Sequence, residues 1–127
     1  MDEASETNPS SDRGRRRVAA EQSWRDTGLS VCIFRLPGIY GPGRAPLEKV
    51  RGGTARRVDK KGQTFSRMHV DDVVRVCLCS AAQPRDGGVY NGVDDEPTAG
   101  HVAITHACSL LGATPPPMVL FEEAERV

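Results

Sequence analysis

Arg35-Leu36-Pro37-Gly38-Ile39-Tyr40-Gly41-Pro42-Gly43-Arg44 is the stretch whose reading decides the fold. Just upstream, Leu29-Ser30-Val31-Cys32-Ile33-Phe34 is a nearly unbroken apolar run. A half-exposed strand alternates, so an unbroken run predicts a parallel strand over residues 29–36 that is covered on both faces. That strand is expected to enter a rigid loop. Pro37 and Pro42 restrict φ there, and Gly38, Gly41 and Gly43 allow close backbone approach. In open α/β sheets, ligands bind beyond the carboxyl ends of such strands. The same spacing also suits a plain strand-to-helix connection, and both readings stand at this point.

Working outward, residues 1–11 have the composition of a loop, and Ser10, Ser11 or Asp12 can cap the helix expected over residues 12–26. Val18, Ala19, Ala20 and Trp24 give that helix an apolar side. Arg13, Arg15, Arg16 and Arg17 crowd its first turns, where the helix dipole disfavours cations. Beyond the glycine-proline block, residues 45–50 predict a short helix closed by Gly52 and Gly53, and residues 55–58 a brief strand before the Lys60-Lys61-Gly62 turn. Val70, Val73, Val74, Cys77, Leu78 and Ala81 then form a strong helical stripe, with Asp71 and Asp72 placed to cap its first turn. A short strand at residues 89–91 follows, then a helix after Thr98 that Gly112 stops, a run at 118–121, and a last helix opening over 122–127.

Composition sets bounds on function. The 127 residues carry 17 basic and 17 acidic side chains, so no global field attracts nucleic acid or an anionic membrane. Arg15-Arg16-Arg17 and Arg56-Arg57 read as solvated faces or as salt-bridge partners of the acidic N-terminus, because one Trp, two Tyr and three Phe offer little for base stacking. No stretch approaches the roughly 20 apolar residues of a membrane span, and residues 1–9 lack a signal-peptide pattern. A soluble, cytoplasmic protein is expected, with an organelle open if the natural N-terminus lies upstream. Cys32, Cys77, Cys79 and Cys108 have no metal-ligand spacing and read as buried free thiols. His101 and His106 fall on different faces of their helix, so no metal site or acid/base pair follows from them.

The block at 35–44, Arg67-Met68-His69-Val70-Asp71-Asp72, and Tyr90-Asn91 followed by Asp95-Glu96-Pro97, in that order, resemble the extended short-chain dehydrogenase/reductase family. The likeness is to its NAD-dependent epimerase/dehydratase branch, including divergent nucleoside-diphosphate-sugar epimerase-like members, and covers only the family's second half. The resemblance implies an α/β fold: the C-terminal strands and helices of a Rossmann-type parallel sheet, plus a small substrate-side α/β lobe. Residues 12–127 are then the C-terminal part of an NAD(P)-binding domain whose dinucleotide-binding half, with its Gly-x-x-Gly-x-x-Gly loop, has no match here. Gly41-Pro42-Gly43 is not that fingerprint, since it lacks the third glycine and the acidic residue about 20 positions on.

By the same resemblance, Pro37, Gly38, Ile39 and Tyr40 pass beside the nicotinamide and its ribose, while Arg44, Arg67 and His69 lie on the substrate side. For His69 the residues alone also allow a plainer role, supporting the start of the following helix. The family's Tyr-x-x-x-Lys pair falls on Arg13 and Arg17, counting back from Glu21. A guanidinium stays charged and only donates hydrogen bonds, so Arg13 cannot shuttle a proton and Arg17 can at most imitate the lysine's charge. The implied function is the C-terminal fragment of an NAD(P)-dependent nucleotide-sugar epimerase/dehydratase-like oxidoreductase, inactive alone. Its expected cofactor is NAD or NADP, supplied with the other half, and its partners are a nucleotide-sugar or related small molecule and a second copy in a homodimer. The alternative is a non-catalytic ligand-binding or scaffold protein, a pseudoenzyme, derived from that fold.

Overall fold

The computed structural model describes residues 2–124. Its elements, in chain order, are α1 (Asp12–Arg25), β1 (Ile33–Arg35), β2 (Gly38–Tyr40), α2 (Pro46–Arg51), β3 (Arg57–Asp59), β4 (Arg67–His69), α3 (Val70–Ala82), β5 (Val89–Asn91), α4 (Gly100–Leu111), β6 (Met118–Leu120) and α5 (Phe121–Ala124). The strands form three two-stranded sheets, β1 with β5, β2 with β4 and β3 with β6, every pair parallel. The parallel α/β character expected from the apolar run is what the chain adopts. The chain divides into two compact units, one built from the N-terminal segment through Leu36 with Asp72–Gly92, the other from Pro37–Asp71 with Val93 onward.

In the first unit, α1 starts where a hydroxyl can accept one of its free N–H groups: Ser11 Oγ accepts from the Gly14 amide at 3.2 Å. Asp12, in the first turn, pairs with Arg15, which offsets part of the crowding of cations at that end. The apolar side expected for α1 is not buried. Trp24 is 60% exposed, and Ala19 and Ala20 are exposed as well. An ion pair holds α1 to β1 instead, with Arg35 Nη2 2.8 Å from Glu21 Oε2 and Nε within 3.3 Å of both carboxylate oxygens.

The strand expected over residues 29–36 shortens to β1, and it is half-buried rather than covered on both faces. A strand exists only as far as a neighbour can hydrogen-bond to it, and β5 supplies just three residues, Ile33 pairing with Val89 and Arg35 with Asn91. Before that register the chain is held by a loop, Val31 N–H donating to Asp86 Oδ1 and its carbonyl accepting from Gly87. Leu29 is left 65% exposed. Phe34 stacks on Tyr90, ring centroids 5.5 Å apart. The α3 stripe forms the predicted helix, yet Val74 and Leu78 remain 52% and 65% exposed. Of the four thiols only Cys108 is buried. Cys77 and Cys79 are exposed, because the side of α3 that turns inward carries Val73 and Val76.

The second unit has its core on α4 and β4, where Ile104, Ala107, Cys108 and Met68 are buried. Helix α4 packs against α2 and β3 and ends as the sequence predicts, with Gly112 at φ +63°. The short helix expected after Ala45 is α2, with Pro46 in its first turn and Gly52 as its cap. Beyond the three prolines, the run at 118–121 becomes β6, and the last expected helix begins as α5; residues 125–127 lie outside the described residues. Among the described residues no helix is long and apolar enough to cross a membrane.

Candidate functional site

The block from Pro37 to Arg44 is not the continuous loop the prolines and glycines predict. Its middle is β2, because Gly38, Ile39 and Tyr40 pair in parallel with Arg67, Met68 and His69. Two blocks far apart in the chain thus become one two-stranded ribbon. The tight turn comes only afterwards: Gly41 and Arg44 exchange backbone hydrogen bonds at 3.2 and 3.0 Å around Gly43, whose φ is +72°. Close backbone approach is needed at Gly41, but a side chain rather than a ligand demands it. A Cβ on Gly41 would stand 2.6 Å from Val70 Cγ1.

Beside this ribbon the second unit forms a cavity of about 970 Å³ that is broadly open to solvent. Gly38, Ile39, Tyr40, Arg44 and Arg67 all line it, so five of the seven cofactor- and substrate-side positions named from the sequence meet in one place. The other two, Pro37 and His69, do not line it. His69 serves the helix after it, its Nδ1 accepting from the Asp71 amide at 3.2 Å while its ring meets Tyr40 edge-on, centroids 5.1 Å apart. Asp71 and Asp72 occupy the first turn of α3 as expected, yet His69 is the group that takes a free backbone N–H there. Asp71 flanks the imidazole at 3.6 Å and Asp72 pairs with Arg75 at 3.0 Å.

Arg67 is partly committed to the fold. Its Nη1 donates to Thr98 Oγ1 at 2.6 Å and to the Phe65 carbonyl at 3.2 Å, which ties β4 to the segment leading into α4. Arg13 and Arg17, at the positions matched to the family's proton-transfer pair, are exposed on α1 in the other unit.

The sequence reading missed several cavity residues. Arg56 and Lys60 line it with Val58 between them, so the basic pair at 56–57 is not simply a solvated face. The signal was alternation: residues 56, 58 and 60 of an extended segment share one side. Arg57 takes the other side and donates to the Pro116 carbonyl at 3.1 Å. His101 and Lys49 also line the cavity, brought there by α4 and α2. The lining therefore holds Arg44, Lys49, Arg56, Lys60 and Arg67 against a single carboxylate, Glu48, a charge balance suited to an anion.

No protein-family model matches the chain. It is 33% identical over 89 residues to protein YeeZ of Escherichia coli K12, an alignment that takes in 70% of this chain and 31% of YeeZ. The solved structure of a functionally unknown conserved protein from Silicibacter pomeroyi superimposes with a TM-score of 0.94 at 46% identity, over 98% of this chain and 45% of that one. The dTDP-glucose 4,6-dehydratase of Bacillus anthracis, solved in complex with NAD, superimposes with a TM-score of 0.76 at 20% identity, over 94% of this chain and 43% of that one. The chain thus spans less than half the length of each of these proteins. Its fold is that of the C-terminal part of the NAD-dependent epimerase/dehydratases.

Proposed function

We propose that this chain is the nucleotide-sugar-binding C-terminal part of an NAD(P)-dependent epimerase/dehydratase-like protein, acting on a nucleotide-sugar or related carbonyl compound. The observation that carries this reading is the cavity itself: a space of about 970 Å³ lined by Gly38, Ile39, Tyr40 and five cationic side chains. A nucleoside diphosphate sugar presents a pyrophosphate to such cations, and arginine forks suit its oxygens. NAD(P) fits these residues only in part. Gly38 to Tyr40 offer an apolar, backbone-lined wall for the nicotinamide end, while no glycine-rich cradle for the cofactor's pyrophosphate occurs in residues 1–127. When bound, the cofactor supplies hydride transfer. This chain's contribution is to hold and orient the substrate, in a homodimer of the whole protein.

A second reading is favoured by one observation. With exposed guanidinium groups at Arg13 and Arg17, the chain lacks a proton shuttle at the matched positions and is a ligand-binding protein without turnover. Titration calorimetry separates the readings. UDP-glucose is expected to bind saturably, and Arg44→Ala combined with Arg56→Ala to weaken binding at least tenfold. No saturable binding to the wild-type chain would overturn both. With the cofactor-binding half of the protein also present, NADH that raises UDP-glucose affinity favours the enzyme-derived reading, and NADH without effect favours the plain binding protein.

A further inference from the structure

His101 is the second residue of α4 and lines the cavity, its side chain 22% exposed. Its Nδ1 is shut off from solvent and has no hydrogen-bond partner among the described residues, while Asp59 Oδ1 stands 4.0 Å away at the end of β3. A buried polar nitrogen left unpaired is costly and uncommon in folded proteins. In this orientation the ring can offer a polar atom to the cavity only from its Nε2 edge. Ala99 provides no side-chain cap for α4, so the first amides of that helix also remain without a side-chain acceptor beside the imidazole.

Resting on the reading of the cavity as a nucleotide-sugar site, we propose that His101, oriented by Asp59, binds the ligand's pyrophosphate as an imidazolium. One proton from solvent enters with the ligand. Nε2–H then donates to a phosphate oxygen, and Nδ1–H closes the gap to the Asp59 carboxylate. The surroundings favour this coupling. Asp59 stands beside the ring, and the charged groups that line the same cavity are Arg56 and Lys60 on the flanks of β3, Glu48 and Lys49 on α2, Arg44 after β2 and Arg67 on β4; the α5 residues at the cavity, Phe121 and Ala124, carry no charge. Cations prevail in this set, so it attracts the same dianion that the imidazolium would meet.

The test is UDP-glucose binding by calorimetry from pH 5.5 to 8.5, in buffers of differing ionisation enthalpy. This ligand's two phosphates each carry one charge throughout that range, so it does not itself titrate. Wild-type affinity is expected to be highest at low pH and to fall up to about tenfold per pH unit through the imidazole range, with uptake of up to one proton. His101→Gln should bind more weakly at low pH, by about tenfold, with a flat profile and no uptake. Asp59→Asn, which keeps the side chain's size, should reduce the uptake. Saturable binding with a flat wild-type profile, or a His101→Gln profile matching wild type, overturns the role of His101 and leaves the cavity reading intact. Absence of binding at every pH overturns both. If His101→Gln does not fold, the wild-type proton uptake and the Asp59→Asn variant decide the matter.

Discussion

Glu21 and Arg35 show what one pair of side chains does in this chain. Hydrogen bonds from the Arg35 guanidinium hold the Glu21 carboxyl below the usual glutamate range, and the same contact raises Arg35 above its own. A carboxyl with a depressed folded-state pKa contributes stability above its unfolded pKa and loses it as pH falls through the folded value. Glu21→Gln should therefore lower stability at neutral pH by about 1–2 kcal/mol and flatten the acid-side loss, read by thermal melts between pH 3 and 7. An unchanged acid limb in the variant would remove the pair from the account. The pairing was partly legible, since Glu21 is one of few acidic residues between basic clusters, but nothing local says that residue 35 is its partner. Arg56 and Lys60 were legible as a period-2 pattern and overlooked because basic residues are usually solvated. His101 carried no signal at all, because its significance lies in what α4 packs against.

At the scale of elements, the helices and the short strand at 89–91 were readable, while the extents of β1 and β2 were not. The ends of α1, α2 and α4 are set by Ser11, Gly52 and Gly112, residues whose capping chemistry works within a turn of themselves. Strand β2 was read as a loop because Pro37, Gly38 and Gly41 are turn formers, and only the partner strand β4 makes an extended ribbon of its middle. The junction of β2 with α3 is correspondingly tight. Gly41→Ala would drive its methyl into Val70, a β-branched side chain with little rotamer freedom. The expected cost is about 1–3 kcal/mol in denaturant melts, most of it recovered in a Val70→Ala background. Equal losses in both backgrounds would place the strain elsewhere.

At the scale of the whole molecule, three small parallel sheets and a few buried side chains leave much apolar surface in water, Val74 and Leu78 on α3 and Trp24 on α1 among it. Exposed apolar surface of this kind promotes association. Val74→Lys with Leu78→Lys should raise the concentration at which the chain stays dispersed, measured by static light scattering, with little change in helical circular dichroism. Scattering unaffected by both lysines would count against α3 as its source. Such a surface was foreseeable only in outline, because a hydrophobic stripe states that a face seeks cover and not whether cover is present. The sequence by itself determined where helices start and stop, which turns need glycine, and that the strands pair in parallel, because capping, φ restriction and apolar patterning act over a few residues. Tertiary structure alone decided that Gly38–Tyr40 lies against Arg67–His69, that cations from separate elements share one cavity, and that His101 faces Asp59. Those juxtapositions arise from packing between distant segments, whose partners no local pattern names.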